Sequence, residues 1–163
     1  RRVLFRSRKT IVGRNLRQLV YMNARPVACL AWADPCLRLK PRDEYLLLNS
    51  GAPCDLKQGV NNTRFLILPW VQVSNLASRI LALAAKSVAN HWRTFYRQDL
   101  VWAETFVDPS KFVGSCYLAA NWKMVGATKG TARSGLTAKR VYHGKSKKIL
   151  LYQFPKRLKR KAN

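Results

Sequence analysis

The chain has 163 residues, 48% of them hydrophobic, which suits one domain with a real core and excludes wholesale disorder. Lys and Arg number 31 against 7 acidic residues, a formal net charge of +24. The longest apolar stretches, such as Phe65–Val73, fall far short of a membrane span, and no secretory signal is visible, so a cytoplasmic location is expected.

The charge is unevenly placed. All 7 acids lie between residues 34 and 108, leaving residues 1–33 and 109–163 without one. Such cationic ends repel themselves unless a polyanion is near, and Lys and Arg neutralise phosphates, so DNA is the expected partner. Residues 1–13 read as a basic N-terminal segment, expected to be partial because the chain opens on Arg1 rather than Met. Residues 14–155 read as the domain, and 156–163 as a basic tail. The cysteines at 29, 36, 54 and 116 have no CxxC spacing, so no metal site is expected and reduced thiols are the default.

Leu16–Tyr21 and Val27–Trp32 read as two strands of a hairpin turning at Asn23–Pro26. Pro41 starts a short helix, with Asp43 and Glu44 favourably placed in its first turn. Asn49–Asp55 is a loop by composition. Arg64–Val73 is the central strand, apolar on both faces through Phe65–Leu68, and Pro69 is expected to make it splay or bulge. Ser74 or Asn75 caps a helix from Leu76 to about Tyr96, with Leu76, Ile80, Leu81, Ala84, Val88, Trp92 and Phe95 at helical spacing. Leu100–Val107 is the next strand. Asp108-Pro109 signals a second helix running to Asn121, with Asp108 as its cap. Trp122–Val125 reads as a short strand, 128–144 as a polar, basic loop, and Lys148–Phe154 as the last strand.

Several of these segments carry a resemblance. PRDEYL (41–46), NNTRFLILPWV (61–71), NLAS (75–78), ETFVDPSKF (104–112) and GSCYLAANWKMVG (114–126) resemble the DruA-like proteins of Druantia anti-phage systems, which also occur beside or fused with bacterial transposases. The order of elements is similar to the acetyltransferase fold of the GNAT superfamily. That resemblance implies an α+β fold: a mixed sheet whose central parallel strands splay between flanking helices. In the superfamily the first long helix receives the pyrophosphate of coenzyme A on a glycine-rich basic loop. The corresponding stretch here, Gln72–Ala77, has no glycine and no basic residue, which speaks against coenzyme A.

The candidate catalytic residues are Glu104, Asp108 and Tyr117. Glu104 and Asp108 fall on one side of a strand and are a candidate carboxylate pair for metal or acid–base chemistry. Asp108 also reads as the helix cap. Glu104, an acid in an apolar strand, must be partnered, with Arg64 expected, or poised in a site. Tyr117 sits where the resemblance implies a general acid. Asn62, Arg64, Trp70, Asn75 and Asn121 are candidate pocket residues. Lys139, Arg140, Lys145, Lys147, Lys148, Lys156, Arg157, Lys159 and Arg160, interleaved with Tyr142 and Tyr152, are the candidate nucleic-acid surface. Three functions stay open: a DNA-associated component of a defence system or mobile element, a coenzyme A-dependent acyltransferase, and a metal-dependent nuclease or transposition accessory.

Overall fold

A computed structural model describes residues 13–133, 140–142 and 144–155. The first hairpin is β1 (Asn15–Met22) and β2 (Arg25–Ala33), turning through Asn23 and Ala24, both at positive φ. Helix α1 (Lys40–Ser50) has Pro41 in its first turn and ends on Gly51 at φ 69°, whose N–H bonds the Leu47 carbonyl. A single 3-10 turn, Leu56–Gln58, leads into β3 (Gly59–Ile67). Then follow α2 (Leu76–Tyr96), β4 (Trp102–Val107), α3 (Ser115–Ala119), β5 (Lys123–Ala127), a small hairpin of β6 (Thr131–Arg133) and β7 (Arg140–Tyr142), and β8 (Lys148–Gln153).

Six strands form one mixed sheet in the order β1-β2-β3-β4-β8-β5. Every neighbouring pair in it is antiparallel except β3–β4. Alternation along the strands divides the core between two faces. On one, Val60, Ala103 and Leu150 meet Ile80, Leu81, Ala84, Val88 and Trp92 of α2 and Tyr117 of α3. On the other, Trp102 and Leu151 meet Leu46 of α1.

The parallel pairing of β3 with β4 is short: Gly59 with Trp102, Val60 with Ala103, Asn61 with Glu104. Beyond it the strands part into a V. β3 stays paired to β2 as far as Ile67, and β4 to β8 along its whole length. The V opens well before Pro69, where the sequence suggested it. The first rung beyond the pairing is a side chain, the Thr105 hydroxyl donating to the Asn62 carbonyl at 2.9 Å. The strand itself ends at Ile67, after which the Leu68 N–H still bonds the Val27 carbonyl.

The expected helix from Pro109 is also corrected. Asp108 accepts the Ser110 N–H at 3.0 Å and the Ser110 hydroxyl at 2.7 Å, closing a turn, and α3 begins only at Ser115. Asp108 is therefore a turn residue, and no side chain caps α3. Phe95, assigned to the buried stripe of α2, is largely exposed.

Gly59 is required by space. A Cβ there would lie 2.1 Å from the Trp102 ring, itself buried at the start of β4. Gly59→Ala is expected to lower stability by about 1–3 kcal/mol through displacement of that ring, measured by urea unfolding; an unchanged midpoint would show that the ring moves freely.

Candidate functional site

The V between β3 and β4 is where this sheet departs from regular pairing, and polar groups gather in it. Asn62, buried on β3, donates through Nδ2 to the carbonyls of Ala31 and Arg64, both at 3.2 Å. Its Oδ1 accepts the Tyr117 hydroxyl at 2.7 Å. Burial raises the Tyr117 phenol above its ordinary range, so it is a neutral donor at physiological pH. Phe65, Tyr117, Trp122, Tyr152 and Phe154 then form a chain of ring contacts, with centroids 5.1–6.2 Å apart. Two of the predicted site residues, Asn62 and Tyr117, are thus brought together, and side chains bridge the V between them.

Glu104 lies on the other face, fully buried with Arg42 of α1. The Arg42 guanidinium donates to Glu104 Oε2 at 2.9 Å and to the Cys36 carbonyl at 2.6 Å, while the Cys36 N–H donates to Glu104 Oε1 at 2.6 Å. Arg42 Nη2 lies 2.7 Å from Asp43 Oδ1, and the guanidinium stacks over Trp102 with 5.0 Å to the ring centroid. Burial pushes the Glu104 carboxyl up, opposed by the Cys36 amide and Arg42. Burial also works against the Arg42 charge, but Glu104 and Asp43 outweigh it and hold the guanidinium protonated. The Cys54 thiol is pushed up to about 11, chiefly by burial. Arg64, the expected partner of Glu104, is exposed and donates to its neighbour, the Thr63 carbonyl, at 2.9 Å. Strand divergence past Asn61 takes it out of the pairing with β4.

The other candidates are scattered. Trp70 lies in the turn after β3 and is 67% exposed. Asn75 precedes α2 at φ 59°, and Asn121 follows α3 at φ 65°. Glu104 and Asp108 have separate partners, and among the described residues no group of three His, Cys, Asp or Glu side chains is placed to hold a metal ion. All four cysteines are free. Lys148 donates to the Val113 carbonyl at 3.2 Å, and Lys145 and Lys147 are exposed. Arg140 lies on β7, while Lys139, Lys156, Arg157, Lys159 and Arg160 lie outside the described residues. Arg42 is the residue the sequence reading passed over. It sits just after the helix-starting Pro41, and of α1 only Arg42 and Leu46 are buried.

The sheet order and the V define the acetyltransferase fold of the GNAT class. Aminoglycoside acetyltransferase AAC(6')-Ib, solved with coenzyme A and kanamycin, superposes at a TM-score of 0.52 and 12% identity, over 85% of this chain and 66% of its own. The same enzyme with ribostamycin and coenzyme A gives 0.53 at 11% identity, over 85% of this chain and 64% of its own. Aminoglycoside 6'-acetyltransferase type Ii gives 0.50 at 9% identity, over 88% and 72%. The chain spans just under two thirds of AAC(6')-Ib, and at these identities the likeness is one of fold. No curated protein matches the sequence. A family model does: the chain belongs to the family described as Druantia protein DruA, matched over residues 7–134.

The corrected partner of Glu104 makes a sharp expectation. Removing one member of the buried pair, by Arg42→Met or Glu104→Gln, should cost about 3–5 kcal/mol, because the other is left unpaired in the core. A double-mutant cycle on Arg42 and Glu104 should show clear coupling, whereas Arg64→Ala and Glu104→Gln should add to within about 0.5 kcal/mol. Coupling of Glu104 to Arg64 instead would reverse the assignment.

Proposed function

We propose that this protein is the nucleic-acid-binding component of a Druantia-type anti-phage defence, with a GNAT-like core serving as the scaffold for a cationic surface. One observation carries the reading: five of the 7 acids are paired with cations of the fold itself. Asp34 pairs with Arg14, Asp43 and Glu104 with Arg42, Glu44 with Lys40, and Asp99 with Arg93. Asp55 and Asp108 accept local N–H groups from Lys57 and Ser110. Those two keep their charges, but the 31 basic residues still exceed the 7 acids by 24. Exposed Arg17, Arg25, Arg79, Lys86, Lys111 and Lys123 contribute to that field from the folded core, beyond the basic ends. Family membership supports the defence context, and the charge supports DNA as the polyanion.

Acyl transfer is the second reading, and one local feature favours it. Asn75 supplies, at the entrance to α2, the left-handed backbone for which a glycine was expected. The helix start carries no side-chain cap, so its amide groups are not taken by a side-chain acceptor. Against this, the loop lacks a basic residue and the V is bridged by Thr105, Asn62 and Tyr117.

Binding to a mixed-sequence DNA duplex should be weakly sequence-dependent and steeply salt-dependent. With about six phosphates engaged, affinity should fall about a thousandfold between about 50 and about 200 mM salt. A flat titration removes the nucleic-acid reading. Calorimetry with acetyl-coenzyme A separates the second reading: no tight binding is expected, and a dissociation constant near about 1 μM would put acyl transfer first.

A further inference from the structure

β1 is an edge of the sheet, and of its outward residues Asn15 is already bonded. Both backbone groups of Asn15 are taken by α2: the Asn15 N–H donates to the Tyr96 hydroxyl at 2.9 Å, and that hydroxyl donates back to the Asn15 carbonyl at 2.6 Å. In an antiparallel strand the N–H and C=O of one residue point to the same side, and sides alternate. The backbone groups of Arg17 and Leu19 therefore point outward like those of Asn15, away from β2. Beside them runs a groove of about 580 Å³ between β1 and α2. On its α2 side the walls include Leu83 and Phe95, which are 65% and 70% exposed. The sheet is one strand too narrow to cover this face of α2. The opposite edge, β5, is shorter and loses register between Met124 and Gly126.

We infer that the β1 edge and the adjoining face of α2 receive an extended, acidic segment of a partner protein as a seventh strand of the sheet. Main-chain bonds to Arg17 and Leu19 give such a strand its hold, and its alternate apolar side chains fill the groove. Charge selects the occupant. The groove is lined by Arg17 and His91 and by no carboxylate, and Arg79, Lys86 and Arg97 are exposed on the same helix. A second copy of this chain would bring another +24 to the contact, whereas an acidic segment is drawn to it. This inference is independent of the nucleic-acid reading.

The test uses a nine-residue fluorescent peptide, alternating Val and Thr flanked by glutamates, and a twin with alternate backbone amides N-methylated. The twin keeps the charge and side chains and loses the strand-pairing donors, so nonspecific attraction to a cationic protein cancels between them. The unmodified peptide should bind about tenfold or more tightly than its twin. Leu19→Pro removes one outward N–H and no bond to β2, a substitution that edge strands tolerate, and should weaken the unmodified peptide. Leu83→Glu leaves β1 untouched and should weaken the unmodified peptide by repelling its flanks. Circular dichroism and melting confirm that both variants are folded. Equal binding of the two peptides to the unsubstituted protein overturns the inference. So does a concentration-dependent dimer in sedimentation that Leu19→Pro dissociates, since the edge would then belong to a second copy.

Discussion

The shape of this domain turns on how briefly β3 and β4 run together. Three parallel pairs, from Gly59–Trp102 to Asn61–Glu104, hold two otherwise antiparallel halves of the sheet in one piece. Everything near the site follows from that contact. Gly59 must be small because the Trp102 ring occupies its side chain's place. Glu104 is at the last pair and so lies deep enough to need a buried cation. Thr105 and Asn62, one position further, face an opening that backbone no longer closes, and they close it with side chains.

The Arg42–Glu104 pair deserves an energetic reading distinct from strength. Burying two charges costs several kcal/mol each before their attraction is counted, and well-packed apolar replacements are often as stable. Here the carboxylate is shared between a guanidinium and the Cys36 amide, while the guanidinium also holds the Cys36 carbonyl. The pair therefore fixes three pieces of chain at once: the segment leaving β2, the first turn of α1, and the middle of β4. An apolar pair of equal stability would not specify the position of Cys36. The pair thus ties these three segments to one another.

Much of the architecture was legible in the sequence because it is written in short periods. The 3.6-residue spacing of Ile80, Leu81, Ala84, Val88 and Trp92 gave α2, and the alternation and turn of residues 16–32 gave the first hairpin. Asp108-Pro109 misled because an Asp–Pro step with a following Ser suits a turn as well as a helix start; Ser110 satisfied the carboxylate before a helix formed. The site was only partly legible. Tyr117 and Asn62 were both singled out, but their meeting depends on a 55-residue separation in sequence. Arg42 and Glu104 are 62 apart, and nothing local distinguishes Arg42 from the other arginines of a strongly basic chain. Arg64 looked the better partner only on the assumption that β3 and β4 stay parallel beyond Asn61.

The placement of the five tryptophans has a spectroscopic consequence. Trp32, Trp92, Trp102 and Trp122 are 0–2% exposed, whereas Trp70 is 67% exposed. A charged collisional quencher such as iodide reaches the exposed indole and is shut out from the four buried ones. The accessible emission comes from the turn that follows β3, and the inaccessible emission reports the integrity of the core. One unlabelled chain thus carries two optical channels, separable by quenching, for events at its surface and for unfolding beneath it.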